Sequence, residues 1–200
     1  MKRPEMTYAL CLAAIFIFCA SLFIPPFISF SDEEAGAKLY SLFSPLCHQK
    51  LSRSSCIFRD SLGYYINDCT PQDGMFVPND AGQISAMRNG DLGYKFPVCT
   101  RDLGIYFALL LGMAAYPLVR KIDDENVPPA IYLVIALIPI GLDGGVQFAS
   151  DLGILPFVYE SSNLSRLVTG AIGGFAAAFY LIPLLMNIFS ESRPSKPKTR

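Results

Sequence analysis

Four long apolar runs, separated by polar stretches, dominate the hydrophobic pattern of this chain. They cover residues 8–30, 103–119, 130–148 and 167–189. An α-helix needs about 20 apolar residues to cross the hydrocarbon core of a bilayer, and each run comes close to that length. Polar residues do not recur inside the runs at the period of a soluble amphipathic helix. The pattern predicts an all-α membrane protein, a four-transmembrane-helix bundle that forms one domain over residues 1–200.

One large loop, residues 31–102, separates the first two predicted spans. It opens with Ser31 followed by Glu34, the spacing of a capping box at a helix start. Apolar residues then recur at i, i+3, i+4 and i+7, at Leu39, Leu42, Phe43 and Leu46. This spacing predicts a short amphipathic helix on the bilayer surface or against the bundle. The remainder, rich in Gly, Asp, Asn and Pro, predicts irregular structure with at most a short hairpin, in which residues 64–66 are a possible strand.

The distribution of charge predicts the orientation of the chain. Basic residues precede the first span, follow the second, and form a tail at residues 190–200, whereas residues 149–165 contain no Lys or Arg. Because basic residues near helix ends favour the cytoplasmic side, we expect a multi-pass protein of the cell membrane with both termini in the cytoplasm and the large loop outside. We expect the first span to remain as an anchor, because no small-residue cleavage site interrupts it.

Composition narrows the classes of partner. Only 16% of the residues are charged and the formal net charge is −1, which gives no reason to expect a nucleic acid as partner. No glycine-rich nucleotide motif occurs in the chain. The expected partners are therefore membrane lipids. A second copy of the chain is a further possibility, because Gly170 and Gly174 have the spacing at which two helices can approach closely.

Four cysteines lie in the large loop, at Cys47, Cys56, Cys69 and Cys99. Four cysteines allow three pairings, and an extracytoplasmic loop favours one or two disulfides. One arrangement joins Cys56 to Cys69 and Cys47 to Cys99, although spacing alone leaves the connectivity open.

The predicted helix directions bring the few polar residues of the spans to one level. Arg101 and Arg166 open the second and fourth spans, whereas Asp143 and Gln147 lie near the end of the third span, which runs the opposite way. A charge inside a span costs about 2.5–3.5 kcal/mol on insertion scales. Asp143 is therefore expected to pair with one of the two arginines. The tripeptide at residues 47–49 belongs to the same end of the bundle.

Several short motifs occur in order along the chain. They are Cys47-His48-Gln49, Arg53-Ser54, Cys99-Thr100-Arg101, Gly104-Ile105-Tyr106, Asp143-Gly144 with Gln147, and Arg166 with Thr169-Gly170. In this order they resemble the domain-of-unknown-function 2085 family of predicted membrane proteins. Asp102 stands where the family often has a second cysteine, so the family's CxxC pair is not in place here. The resemblance implies a shared polar site and no assigned activity.

Three functional hypotheses follow from the gathered residues. In the first, Arg101, Arg166, Gln49 and Gln147 bind an anionic lipid or isoprenoid-phosphate head group at the outer leaflet, and His48 and Asp143 act as catalytic acid and base. In the second, a metal, zinc being possible, or a thiol-redox centre uses Cys47, His48, Cys99 and Asp102. In the third, the protein is a non-catalytic scaffold, in which disulfides staple the loop and the Asp–Arg pair specifies helix packing.

Overall fold

The computed structural model describes residues 3–46, 51–69 and 84–191. Among these residues, four helical segments are long and apolar enough to cross a membrane: Pro4–Ser29, Thr100–Val119, Ala130–Asp151 and Asn163–Phe189. The four predicted spans are therefore confirmed as apolar helices of membrane length.

The described helices follow the apolar runs closely. They are α1 (Arg3–Ser21), α2 (Ile24–Ser29), α3 (Glu33–Phe43), α4 (Thr100–Val119), α5 (Ala130–Asp151) and α6 (Asn163–Glu191), with single 3-10 turns at Ser44–Leu46 and Leu51–Arg53. α1 and α2 together form the first span. The break between them lies just before Pro25 and Pro26, which have no N–H to bond to the preceding turn.

The large loop contains a four-stranded antiparallel sheet, so the all-α prediction was wrong for this region. Its strands are β1 (Ser55–Arg59), β2 (Tyr64–Asp68), β3 (Ser85–Arg88) and β4 (Asp91–Lys95), in the spatial order β2-β1-β4-β3. The strands have only four or five residues, too few for a clear alternating pattern. β1 is buried on both faces at Cys56, Ile57 and Phe58, so it does not alternate at all.

One sequence signal could have located the β3–β4 hairpin. Asn89 and Gly90 connect the two strands with φ angles of 53° and 86°. Two positive φ angles are what a two-residue type I′ turn requires, and Asn-Gly is the preferred pair for it.

A disulfide joins Cys56 in β1 to Cys69 just after β2, as predicted. It lies in a small core with Leu51, Phe58 and Ala86 on one face of the sheet. Cys47 lies outside the described residues, so its pairing with Cys99 stays a prediction.

The opposite face of the sheet rests on the ends of the helices. Ile57 packs with Leu22 at the end of the first span and Leu103 in the first turn of α4. Tyr94 packs with Tyr40 of α3. We call this end of the bundle the sheet end, since α1 finishes here, α4 and α6 begin here, and α5 ends here.

The predicted amphipathic helix is present in the loop as α3. Its first residue and its buried face differ from those that the sequence predicted. Asp32, not Ser31, caps α3, because its carboxylate accepts the N–H of Ala35 at 2.9 Å. α3 buries Gly36 and Tyr40, while Leu42 is 71% exposed. Gly36 packs closely on Ser29. This contact determines which face of α3 is buried, and the apolar residues spaced at i, i+3, i+4 and i+7 do not.

α4 and α6 form the closest helix pair of the bundle. A Cβ at Gly170 would lie 2.3 Å from the carbonyl oxygen of Arg101, and one at Gly174 would lie 2.1 Å from that of Ile105. The two glycines thus pack against α4 of the same chain. Association of two chains through them stays a prediction.

Candidate functional site

Polar side chains from three helices and the loop meet at the sheet end. We call this group the polar network; it consists of Arg53, Arg101, Asp143, Gln147, Asp151, Tyr159, Glu160, Asn163, Ser165 and Arg166. α4 contributes its first turn, α5 its last three turns, and α6 its first turn. The antiparallel course of α5 relative to α4 and α6 is what brings residues so distant in the chain to one level.

Asp143 pairs with Arg101 and not with Arg166. The Oδ2 atom of Asp143 accepts a hydrogen bond from Nη2 of Arg101 at 2.6 Å. Its Oδ1 atom accepts from the Tyr159 hydroxyl at 3.1 Å and the Ser165 hydroxyl at 3.3 Å. The Arg101 guanidinium lies beside Gly144, where a Cβ would sit 3.1 Å from Nη1. The missing side chain at Gly144 therefore gives the arginine its path to the carboxylate.

Arg166 is the most deeply buried charge of the network, with its side chain 2% exposed. Its Nη1 donates to Oδ1 of Asn163 at 3.1 Å, and its Nη2 donates to Oε1 of Gln147 at 3.1 Å and to Oε1 of Glu160 at 2.7 Å. A buried guanidinium is stable only when charged and hydrogen-bonded partners replace its hydration. Three partners from α5, α6 and their connection do so here.

Arg53 extends the network into the loop. Its Nη2 donates to both carboxylate oxygens of Asp151, at 3.0 and 2.8 Å, and its Nε donates to Glu160 at 3.1 Å. Next to it, the Asn163 amide donates to the carbonyl of Ser54 at 3.2 Å. These contacts tie the start of the sheet to α5 and α6.

Glu160 links Arg53 to the buried Arg166 and has a lowered pKa. Its partial burial raises the pKa, but the hydrogen bonds and charges of Arg53 and Arg166 outweigh burial and bring the pKa below its usual value. The stabilisation from Glu160 is therefore complete above the ordinary glutamate pKa of about 4.3. It is lost as the pH falls through the lowered pKa of the folded state.

The network is electrically balanced. Three guanidinium groups face three carboxylates, and each arginine contacts at least one carboxylate directly. Two donors are left over: among the residues that the structure describes, Nε of Arg101 and Nε2 of Gln147 are buried without a hydrogen-bond partner.

Of the predicted metal ligands, only Cys99 and Asp102 lie among the described residues. Sγ of Cys99 donates to Oδ2 of Asp102 at 3.0 Å in the first turn of α4. Over the described ranges, no group of three or more His, Cys, Asp and Glu side chains is arranged to hold a metal. Cys47, His48 and Gln49 lie outside those ranges, so the ligand and acid–base roles assigned to them stay predictions.

Sequence reasoning placed Arg101, Asp143, Gln147 and Arg166 at one end of the bundle, and the structure brings all four into the network. It missed the part played by Asp151, Tyr159 and Glu160. These residues lie at the end of α5 and in its connection to α6, where no periodic pattern marks them. Arg53 was noted only as part of a motif, and its position in the loop gave no hint of its partners.

Comparison with known proteins agrees with a membrane protein. The family described as "Predicted membrane protein (DUF2085)" matches residues 92–180, which include α4, α5 and most of β4 and α6. An uncharacterized protein of Methanocaldococcus jannaschii, MJ1492, is 30% identical over 187 residues, which cover 90% of this chain and 94% of that protein. No solved structure matches the chain. From the family match and from the relative, which is covered over 94% of its length, the chain belongs to the domain-of-unknown-function 2085 family of predicted membrane proteins.

Proposed function

We propose that this protein is a non-catalytic membrane scaffold, in which the polar network clamps a disulfide-bonded sheet onto a four-helix anchor. The observation that carries the proposal is the pairing pattern of the network. Each of the three arginines of the network pairs with at least one carboxylate, and Arg53 brings the loop into the same set of ion pairs.

The buried centre of the network supports this role. Asp143 is 8% exposed, Gln147 3% and Arg166 1%. A group that must meet a substrate needs a reactive atom open to it, whereas a structural lock needs its charges shielded and paired. The disulfide between Cys56 and Cys69 adds a covalent link within the loop, which stabilises the sheet.

We infer that the sheet lies outside the cytoplasm and that both termini lie inside. Disulfides persist in oxidising compartments, and the sheet contains one. The basic residues at Arg120 and Lys121 follow the opposite end of α4, as a cytoplasmic side would require.

A double-mutant cycle on the Arg101–Asp143 pair tests the clamp. Arg101→Leu leaves a buried carboxylate without its cation, and Asp143→Leu leaves the cation without its carboxylate, so each should lower the free energy of unfolding by about 2 kcal/mol. The double variant should regain most of that loss, because an apolar pair often replaces a buried ion pair without cost. Unfolding in detergent micelles with increasing dodecyl sulfate measures all three. If the loss of unfolding free energy in the double variant equals the sum of the two single losses, the proposed clamp is contradicted.

A second candidate function is binding of a phosphate-bearing lipid head group, and the two unpartnered donors favour it. Nε of Arg101 and Nε2 of Gln147 are buried N–H groups that an acceptor oxygen could satisfy. Both lie at the sheet end, near the ends of helices that are long and apolar enough to cross a membrane. Arginine is suited to phosphate because its fork of donors matches two phosphate oxygens.

Native mass spectrometry of the full chain with phosphatidylglycerol, and with phosphatidylcholine as reference, separates the two functions. The Gln147→Glu substitution keeps an oxygen for Arg166 but replaces the free donor by an acceptor. Under head-group binding, retention of phosphatidylglycerol should fall several-fold in this variant and in the stable Arg101→Leu/Asp143→Leu protein. Equal retention by all variants would leave the scaffold as the function.

Labelling with a membrane-impermeant maleimide tests the orientation. Ser52 is exposed beside the sheet, and Asp123 is exposed in the connection between α4 and α5 at the opposite end. In intact cells, Ser52→Cys should be labelled above the level of the unsubstituted protein, and Asp123→Cys only after lysis. The reverse result would place the sheet in the cytoplasm.

A further inference from the structure

We propose that the β1–β2 hairpin is a membrane-contacting element, which inserts Tyr64 and Ile66 into the lipid interface beside the first span. This inference is independent of the scaffold and head-group proposals, since no residue of the polar network takes part in it. The partner that covers the hairpin is the lipid bilayer.

Strand register shows which way the two side chains face. Ile66 lies directly opposite Ile57, and Tyr64 directly opposite Arg59. Side chains of directly paired residues share one face of a sheet. Ile57 points at the helix ends, where it packs with Leu22 and Leu103. Tyr64 and Ile66 therefore lie on the face that the sheet turns toward the membrane-spanning helices.

The helices cover this face only in part at β2. β2 is an edge strand of the sheet, and Ile66 is 58% exposed and Tyr64 52% exposed. At the tip of the hairpin, Leu62 is 95% exposed. Three large apolar residues in five positions are thus left largely exposed at the edge of the sheet. On a soluble surface such a strip would favour aggregation.

The strip is continuous with the lipid-facing surface of the first span. The Tyr64 ring meets the rings of Phe27 and Phe30 edge-on, with centroids 5.2 and 5.3 Å apart. Phe27 is 42% exposed and lies in the segment Pro4–Ser29, which has the length and hydropathy of a span. The bilayer that covers Phe27 therefore reaches the hairpin as well.

The polar groups of the hairpin suit the interface. Arg59, exposed next to Tyr64 on the same face, can extend its guanidinium toward lipid phosphates, and tyrosine is enriched at the same depth. The nearby carboxylate of Asp60 is engaged in the turn, where it accepts the N–H groups of Leu62 and Gly63. The other face of β2 carries Tyr65, whose hydroxyl donates to Asp91, and the exposed amide of Asn67. The strand is thus apolar toward the bilayer and polar away from it.

Tryptophan fluorescence tests the proposal, because the chain contains no tryptophan. The Ile66→Trp and Asn67→Trp variants place one reporter on each face of the same exposed strand, one residue apart. Each full-length variant is reconstituted into phosphatidylcholine vesicles and titrated with lipid brominated near the top of the acyl chain. Ile66→Trp should emit at shorter wavelength and be quenched several-fold more strongly than Asn67→Trp.

Two results would overturn the proposal. Equal, weak quenching of both variants would place the hairpin in water. Ile66→Trp could instead emit at short wavelength without being quenched by bromine. If its emission then moves to longer wavelength as the protein is diluted among lipids, a second copy of the chain covers the strip. Circular dichroism of both variants checks that each is folded.

Discussion

Replacement of Arg166 by methionine should destabilise the protein more than any other single change in the polar network, by roughly 3–5 kcal/mol. Methionine approximates the apolar stem of arginine but provides no donor. Oδ1 of Asn163 and Oε1 of Gln147 lose the Arg166 N–H groups that they accept, and Glu160 keeps only Arg53 as a cationic partner. Because Arg166 is 1% exposed, water cannot easily replace those bonds. Unfolding in mixed detergent and dodecyl sulfate micelles measures the loss.

Arg120→Met is the matched control for this prediction. Arg120 ends α4 at the opposite end of the bundle and pairs with Asp124, with both side chains more than a fifth exposed. Ion pairs of this kind contribute about 0–1 kcal/mol. A loss in Arg166→Met no larger than that of Arg120→Met would mean that the network contributes nothing specific to the fold.

Gly174→Ala should also destabilise the protein, with a loss of about 1–3 kcal/mol from overpacking. The added methyl carbon would lie 2.1 Å from the carbonyl oxygen of Ile105 and 2.8 Å from its Cα, and both are backbone atoms that cannot rotate away. α4 and α6 must then separate, which also shifts Arg101, one turn before Ile105, away from Asp143. The same unfolding assay measures the loss.

Gly141→Ala is the matched control, because the same chemical change should not destabilise the protein there. A Cβ at Gly141 in α5 meets nothing within 4 Å. Alanine is better than glycine in a helix by up to about 1 kcal/mol, so this variant should be unchanged or slightly more stable. Equal effects of the two substitutions would show that the close approach of α4 and α6 is not what Gly174 provides.

These predictions share one physical basis. In a lipid environment the association of helices depends on close packing and on polar contacts, because lipid chains are as apolar as the helix surfaces. Gly170 and Gly174 let α4 and α6 approach, and that approach sets the position of the Arg101 side chain on α4. Packing and the polar network therefore support each other.

The membrane spans were predictable from the sequence because their signal is local. Twenty consecutive apolar residues define a span whatever the remainder of the chain does. The same local logic located Asp143 and Gln147 on one face of the third span. It also grouped Arg101 and Arg166 with them, since alternating helix directions follow from the order of the spans.

The sheet was not predictable in the same way, because its stability depends on partners far apart in the chain. β1 pairs with β4, about 35 residues further along, and both strands are too short for a periodic signal. The disulfide pairing of Cys56 and Cys69 was one of three possibilities until the strands brought the two residues together.

By itself, the sequence determined the number of spans, their approximate ends and the level at which the costly side chains gather. Only the tertiary structure decided that Asp143 pairs with Arg101, that Glu160 joins Arg53 to Arg166, and that Gly170 and Gly174 face α4. The reason is physical. Whether a segment enters a bilayer depends on the summed hydropathy of neighbouring residues, whereas the partner of a buried charge depends on ångström-scale distances that only packing between distant segments defines.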